Sequence, residues 1–187
     1  DFTATGFYVA PSGTLSIYVD QLEDGTGLPT LLIGTYSRYK DKWNPTVVPL
    51  TQGLNTIQAD QYGGLLYIRY NANDNSTPSG KARVEFRAGH KPVPHYVLGK
   101  TTNAQWQVML NTWTEAPDVL LESEETMLVA SRAKALDHRL KNQEQLMQTY
   151  DEIVKAEYAI SGIDGSAAQH DENIHKILMT ETDNADY

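Results

Sequence analysis

The chain contains no cysteine. Disulfides, thiolate zinc sites and cysteine nucleophiles are thereby excluded together. The compartment stays open, because a cysteine-free chain fits the cytosol and equally fits an exported bacterial protein that avoids disulfide chemistry. Long hydrophobic runs are missing as well. No stretch approaches the roughly 18 apolar residues of a membrane-spanning helix. Positive charge is in deficit: 15 Lys and Arg stand against 24 Asp and Glu, a net charge of −9. Such a surface repels phosphates, which argues against nucleic-acid partners and anionic membranes. The charges are dispersed, the pattern of a solvated surface. The opening Asp1-Phe2-Thr3 has no Met, no basic segment and no apolar segment of a signal peptide. The last residues, 184–187, carry no cap or turn signal. Both ends read as cut from something longer.

Nucleotide and nucleophile motifs are also absent: there is no Gly-x-Ser-x-Gly, no Walker lysine loop and no Gly-x-Gly-x-x-Gly. What is present is a chain of 187 residues, 40% apolar, enough for one domain of about 150 residues and a smaller appendage. Residues 1–130 read as short strands separated by turns. Phe7-Tyr8-Val9 runs into Pro11-Ser12-Gly13. Leu15, Ile17 and Val19 then alternate with Ser16, Tyr18 and Asp20, the period of a half-buried strand. A turn is expected over residues 23–27, strands over 31–36 and 53–59, and the strongest strand over 65–70, after Gly63-Gly64. A loop over 71–80 leads to the alternation of Ala82, Val84 and Phe86. A short helix is expected over 103–111, where Trp106, Met109 and Leu110 fall at i, i+3 and i+4, and two last strands over 119–121 and 127–130. This spacing predicts a mainly β fold with α, an antiparallel β-sandwich over residues 1–130.

The period changes near Ala130. Leu136, Leu140, Met147, Tyr150, Val154 and Tyr158 form one helical stripe, with Leu146, Ile153 and Ile160 beside it. A long amphipathic helix is predicted over 131–161, capped by Ser131 or Asp137 and ended by Gly162 in the left-handed region. Residues 131–187 thus form a second segment, the helix and a polar, acidic tail with one apolar patch at Ile177-Leu178-Met179. A stripe this wide needs a partner surface, so part of it is expected to lie exposed or to be covered by a second copy.

Few residues can carry chemistry. His170 and His175 stand five apart, about 140° from each other on a helix, and the residue directly after the first is Asp171, not a glutamate. A zincin needs both imidazoles on one face with a glutamate beside the first. No metal site is expected there. His90 and His95 flank Lys91-Pro92-Val93-Pro94 and read as separated loop or edge histidines. Glu122, Glu124 and Glu125 could serve acid–base work only if burial split their pKa values; a solvated turn is the expectation. The segment from Tyr36 to Pro45 is different. Tyr39 and Trp43 sit among Arg38, Lys40, Asp41, Lys42 and Asn44. Two readings stand: Trp43 folds back as a plug in the core, or Trp43 and Tyr39 are exposed and stack on sugar rings.

Several stretches together resemble the M60-like peptidases, the enhancin family of zinc metallopeptidases. They are Ala4-Thr5-Gly6-Phe7-Tyr8-Val9-Ala10-Pro11-Ser12-Gly13, Leu32-Ile33-Gly34, Trp43-Asn44-Pro45, Leu50-Thr51-Gln52-Gly53-Leu54-Asn55 and Gly63-Gly64-Leu65-Leu66-Tyr67-Ile68. Val97-Leu98-Gly99-Lys100-Thr101-Thr102, Trp106, Ala116-Pro117, Tyr150-Asp151-Glu152-Ile153-Val154 and Ile177-Leu178-Met179-Thr180-Glu181-Thr182 follow in order. The resemblance covers essentially the whole chain, and the order and spacing of the pieces carry it. It implies a sandwich leading into a helical catalytic subdomain with a HExxH motif and a downstream glutamate ligand. No such motif occurs in these residues, so no catalytic residue is carried over and no cofactor is expected in this fragment; zinc belongs to the full-length parent. The resemblance further implies hydrolysis of O-glycosylated, mucin-like glycoproteins by an extracellular or cell-surface enzyme. The alternative is a stand-alone carbohydrate- or protein-binding module.

Overall fold

A computed structural model of the chain describes residues 2–23, 27–71 and 80–183. The turn expected over 23–27 and the loop over 71–80 fall outside the described residues at 24–26 and 72–79, as do residues 184–187. The chain divides into two compact units, Asp1–Val93 with Thr182–Tyr187, and Pro94–Glu181.

The first unit is all β. Its strands are β1 (Thr3–Val9), β2 (Thr14–Glu23), β3 (Thr30–Ile33), β4 (Thr46–Pro49), β5 (Gly53–Gln58), β6 (Gly64–Arg69), β7 (Lys81–Ala88) and β8 (His90–Pro92). They form a five-stranded sheet in the order β4-β3-β6-β1-β8 and a three-stranded sheet in the order β5-β2-β7. Every pairing in both is antiparallel. Leu15, Ile17 and Val19 of β2 join Val9, Leu31, Ile33, Ile57 and Leu66 in one core fed by both sheets. Each of these β2 side chains is fully buried, a gain of about 2 kcal/mol apiece. A slip of one residue would put Ser16, Tyr18 and Asp20 inside instead, so the alternation fixes the register. The Gly63-Gly64 pair is required by contact. Both have positive φ, 60° and 126°; a Cβ on Gly63 would lie 2.4 Å from the Val9 carbonyl oxygen, and one on Gly64 2.7 Å from the Gly34 Cα.

The second unit contains β9 (His95–Val97), α1 (Asn103–Thr112), β10 (Asp118–Glu122), β11 (Thr126–Ser131), α2 (Arg132–Asp137), α3 (Gln143–Ile160) and β12 (Ile177–Thr180). Its four-stranded sheet runs β12-β11-β10-β9 and is mixed. β10 and β11 are antiparallel, but β9 lies parallel to β10 and β12 parallel to β11. The strands expected over 119–121 and 127–130 therefore belong to a separate mixed sheet, not to the antiparallel sheets of the first unit. The compact units divide at Val93/Pro94, whereas the change of period falls near 130, because β9, β10 and β11 pair with one another and share a core with the helices. That core is Tyr96, Trp106, Leu110, Val119, Leu121 and Met147. α1 starts as expected, with a capping box between Thr102 and Gln105.

The single long helix expected over 131–161 is two helices. Ser131 caps α2 by accepting from the Lys134 amide, but Asp137 caps nothing. The chain turns over residues 138–142, and Asn142 caps α3 by accepting from the Gln145 amide. Gln143 donates to the His138 and Lys141 carbonyls and so satisfies the broken end. Leu140, expected on the stripe, lies in this break and is 89% exposed. Gly162 has φ +74° just past α3, the left-handed end the sequence predicts. Among the described residues no helix is long and apolar enough to cross a membrane.

Strand β12 is held at both ends. Lys176 contacts Glu122 Oε1 at 2.7 Å and also donates to the Ser123 carbonyl. Glu181 accepts from the Ser131 amide at 2.7 Å and hydroxyl at 3.2 Å. Glu122 also meets His95 Nε2 at 3.0 Å, which fixes β9 beside β10. Burial pushes the Glu122 carboxyl up, but hydrogen bonds from His95 and Lys176 and their charges outweigh it and hold it at about 2. Because Glu122 is ionised, the imidazole must be the donor, so Nε2 carries a proton. Three residues on, Glu125 is 7% exposed. Burial and the neighbouring Glu172, Glu124 and Asp151 push its carboxyl up, against the opposing charge of Lys155.

These two carboxylates have opposite linkage. The stabilisation from Glu122 is present above its unfolded value near 4.5 and is lost as pH falls towards 2. Glu122→Gln should therefore cost about 3 kcal/mol at neutral pH, with the deficit closing in strong acid. Glu125 is raised, so its ionisation opposes folding above its unfolded pKa. Glu125→Gln should raise the thermal midpoint at pH 7 and leave it unchanged near pH 4. Thermal unfolding across pH checks both; equal effects at all pH values would refute the assignment.

Candidate functional site

The loop between β3 and β4 carries Tyr39 and Trp43. It leaves β3 through Gly34, whose φ is +96°, and bends at Ser37, φ +57°. The Ser37 amide donates to the Trp43 carbonyl at 2.8 Å, and the Lys42 amide to the Tyr39 carbonyl at 3.1 Å, so residues 37–43 close on themselves. Their anchor is Asp60, in the turn before β6. Lys42 Nζ lies 2.5 Å from Asp60 Oδ2, which also accepts from Thr46 Oγ1 at 2.9 Å. Asp60 Oδ1 accepts from the amides of Tyr62 and Gly63 at 2.9 and 3.1 Å. Burial pushes the Asp60 carboxyl up, but the Lys42 hydrogen bond, the Tyr62 amide, the Thr46 hydroxyl and the Lys42 charge together hold it at about 2.

This anchor places aromatic faces. The Tyr39 ring stacks on Tyr62 with centroids 5.8 Å apart and 23° between planes. The Arg38 guanidinium lies 5.2 Å from the Tyr39 centroid, and Lys42 Nζ 5.9 Å from that of Tyr62. Arg38, 5% exposed, pairs with Asp183 at 2.5 Å. Behind the loop, the Thr35 and Tyr67 hydroxyls share a buried 2.7 Å hydrogen bond, and Phe2 packs on both Tyr36 and Tyr67. Trp43 itself is 44% exposed, with Lys40, Asp41 and Asn44 exposed around it. The indole is at the surface; it is not a plug in the core. Tyr39 is half-buried. An aromatic face ringed by an ammonium, a carboxylate and an amide can stack on an apolar ring face and bond hydroxyls at its edge.

Asp60 and Tyr62 join this site although they escape notice in the sequence. The segment Asp60-Gln61-Tyr62-Gly63 has the form of a turn in which an aspartate bonds the amides that follow, and that signal could have found it. The other candidates are elsewhere. His90 lies on β8 and His95 on β9, both edge strands. Glu122, Glu124 and Glu125 are not one solvated turn: Glu124 is exposed, Glu122 is committed to His95 and Lys176, and Glu125 is buried. Partners remote in sequence make that difference. His170 Nδ1 meets the Ser166 hydroxyl at 2.9 Å and Asp164 at 3.7 Å. Among the described residues no group of three or more His, Asp or Glu side chains is placed to hold a metal ion. Among the described residues, then, no set is placed to hold the zinc of the family that the sequence resembles.

Comparison with known proteins bears on the whole chain. No curated protein matches it. Among solved structures, a functionally unknown conserved protein from Bacillus anthracis str. Ames is 28% identical with a TM-score of 0.79, over 97% of this chain and 36% of the other. The M60 catalytic domain of ZmpC from Clostridium perfringens, in complex with the sialyl T antigen, has a TM-score of 0.79 at 22% identity, over 96% of this chain and 39% of the other. A metallopeptidase in complex with Tn antigen has a TM-score of 0.71 at 18% identity, over 94% of this chain and 32% of the other. The last two show the fold alone. This chain thus spans 32 to 39% of the length of these three structures. The model of one family, peptidase M60, enhancin and enhancin-like, matches residues 89–185. Since that match takes in more than half of the chain, and the resemblance carried by the order of its short motifs runs the same way, this protein belongs to the M60 enhancin-like peptidase family.

Proposed function

We propose that the chain is the non-catalytic N-terminal part of a zinc metallopeptidase that hydrolyses O-glycosylated, mucin-like glycoproteins outside the cell or at its surface. The observation that carries this reading is the family match over residues 89–185, together with a fold that accounts for 39% of an M60 catalytic domain holding a sialyl T antigen. A second relative of this fold is bound to Tn antigen. Zinc would sit in the parent, on residues outside these 187. The part played by the present residues is to bind and position substrate. Tyr39 and Trp43 are the proposed glycan contacts. Stacking a sugar on the indole contributes about 1–2 kcal/mol, by analogy with other aromatic pairings. Even with its polar rim such a site alone would bind near 1 mM, about −4 kcal/mol. The competing reading is a stand-alone carbohydrate- or protein-binding module, for which the exposed Trp43 would suffice.

The parent polypeptide should cleave a mucin-type O-glycoprotein and lose that activity to a chelator, while the 187-residue chain neither cleaves it nor takes up stoichiometric zinc. A reading frame that stops at Tyr187, or one that continues without a HExxH, decides for the binding module. Titration of mucin-type O-glycans into the wild-type chain and Trp43→Ala tests the contact. Weakening of about tenfold in a folded variant is expected, the value of roughly 1.4 kcal/mol. Equal binding, or an unfolded variant, makes Trp43 structural.

A further inference from the structure

Helix α3 carries two apolar seams, and only one is covered. Met147 and Val154 face the core of the second unit, with Gln143 and Asp151 buried and Tyr150 and Tyr158 half-buried beside them. Leu146, Thr149, Ile153, Ala156 and Ile160 form the other. Their spacing alternates between three and four residues, the repeat that keeps side chains on one side of a helix facing another helix. At about 100° per residue this second seam lies roughly 130° around the helix from the first. All five residues are exposed: Leu146 by 36%, Ile153 by 48% and Ile160 by 88%. The small Thr149 and Ala156 between the large residues leave holes into which knobs of a facing helix could insert. A helix that met only water on this side would have polar residues there.

We propose that this second seam is the docking face for a helix of the parent polypeptide lying outside these 187 residues. This rests on the reading of the chain as part of a longer peptidase. The length of matched chain argues for that occupant, because this chain accounts for only 36% of the Bacillus anthracis structure and 39% of the ZmpC domain. Charge argues against a second copy. α3 carries Glu144, Asp151, Glu152 and Glu157 but a single base, Lys155, and Lys155 is engaged by Glu124 at 3.2 Å and Glu125 at 3.9 Å. Two copies placed seam to seam would bring acidic flanks together. The facing helix should present its own apolar seam flanked by Lys or Arg.

The absence of cysteine makes the test direct. Ile153→Cys and Ala156→Cys are each introduced into the 187-residue chain and into the parent, with Gln148→Cys, exposed on another face, as control. Thermal unfolding confirms that each variant folds. Thiols at 153 and 156 should label freely in the 187-residue chain and at least about tenfold more slowly in the parent, with the control labelling alike in both. Equal labelling of the seam thiols in both proteins overturns the proposal, and leaves the peptidase reading to be judged by cleavage. Protection already present in the 187-residue chain and rising with its concentration assigns the seam to a second copy and also overturns it. A frame ending at Tyr187 removes both the proposal and the reading on which it rests.

Discussion

One carboxylate organises the surface on which the functional reading depends. Asp60 accepts hydrogen bonds from Lys42, Thr46 and the amides of Tyr62 and Gly63. The first two come from the loop after β3 and the start of β4; the last two belong to its own turn. Without it, Lys42 would leave a charge that is 11% exposed with the Ile33 carbonyl, at 3.3 Å, and the Tyr62 ring, but no counter-charge, beside it. Burying an ammonium without a counter-charge is costly, so the pair determines where the loop can rest. Tyr62, two residues after Asp60, stacks on Tyr39. Gly63 and Gly64 then carry the chain against the Val9 carbonyl and Gly34, where no side chain could fit. The exposed indole of Trp43 is thus mounted on a closed loop that is fixed at its base. A rigid mounting lowers the entropy lost when a ligand binds, which matters most for a weak site.

The second unit is organised by the same kind of interaction. Its mixed sheet brings in strands from distant parts of the chain, and β9 and β12 are each only three or four residues long. So few ladder hydrogen bonds hold an edge strand weakly. Glu122 compensates by joining His95 and Lys176, and Glu181 ties the other end of β12 to Ser131. Glu122 and Glu181 are therefore structural, whatever the net charge does at long range. The cost is visible at Glu125 and Asp151, neighbouring buried acids for which Ser123, the Glu125 amide and Lys155 provide the opposing contacts.

The strands whose cores depend on alternation were legible. β2 and β7 show it in the sequence and in their burial, and β6 was marked by its aromatic and branched residues. The short strands β4, β8, β9 and β12 were not, because three or four residues with Pro49 or Pro92 at the end carry no period. The helical stripe hid a break, since a turn of five residues nearly preserves the phase between Leu136 and Met147. Only the side chain of Asn142, acting as a cap, marks it. In sequence the glutamate cluster has the look of a solvated turn for a similar reason. What separates Glu122 and Glu125 from Glu124 is His95, Lys176 and Asp151, which are 26 to 54 residues away in the chain. In the aromatic loop, Tyr39 and Trp43 were identifiable as candidates, but nothing in their neighbours decided between plug and platform. Asp60, from a turn beyond β5, anchors the loop that carries both.

The position of that loop depends on Asp60. Amide hydrogen exchange in wild type and Asp60→Ala measures it residue by residue. Exchange at Ser37, Lys42, Tyr62 and Gly63 should accelerate by about tenfold or more in the variant, while the amides of Leu15, Ile17 and Val19 in β2 keep their protection. Unchanged exchange at the four loop and turn amides would contradict this dependence, because the loop would then hold its shape without the carboxylate.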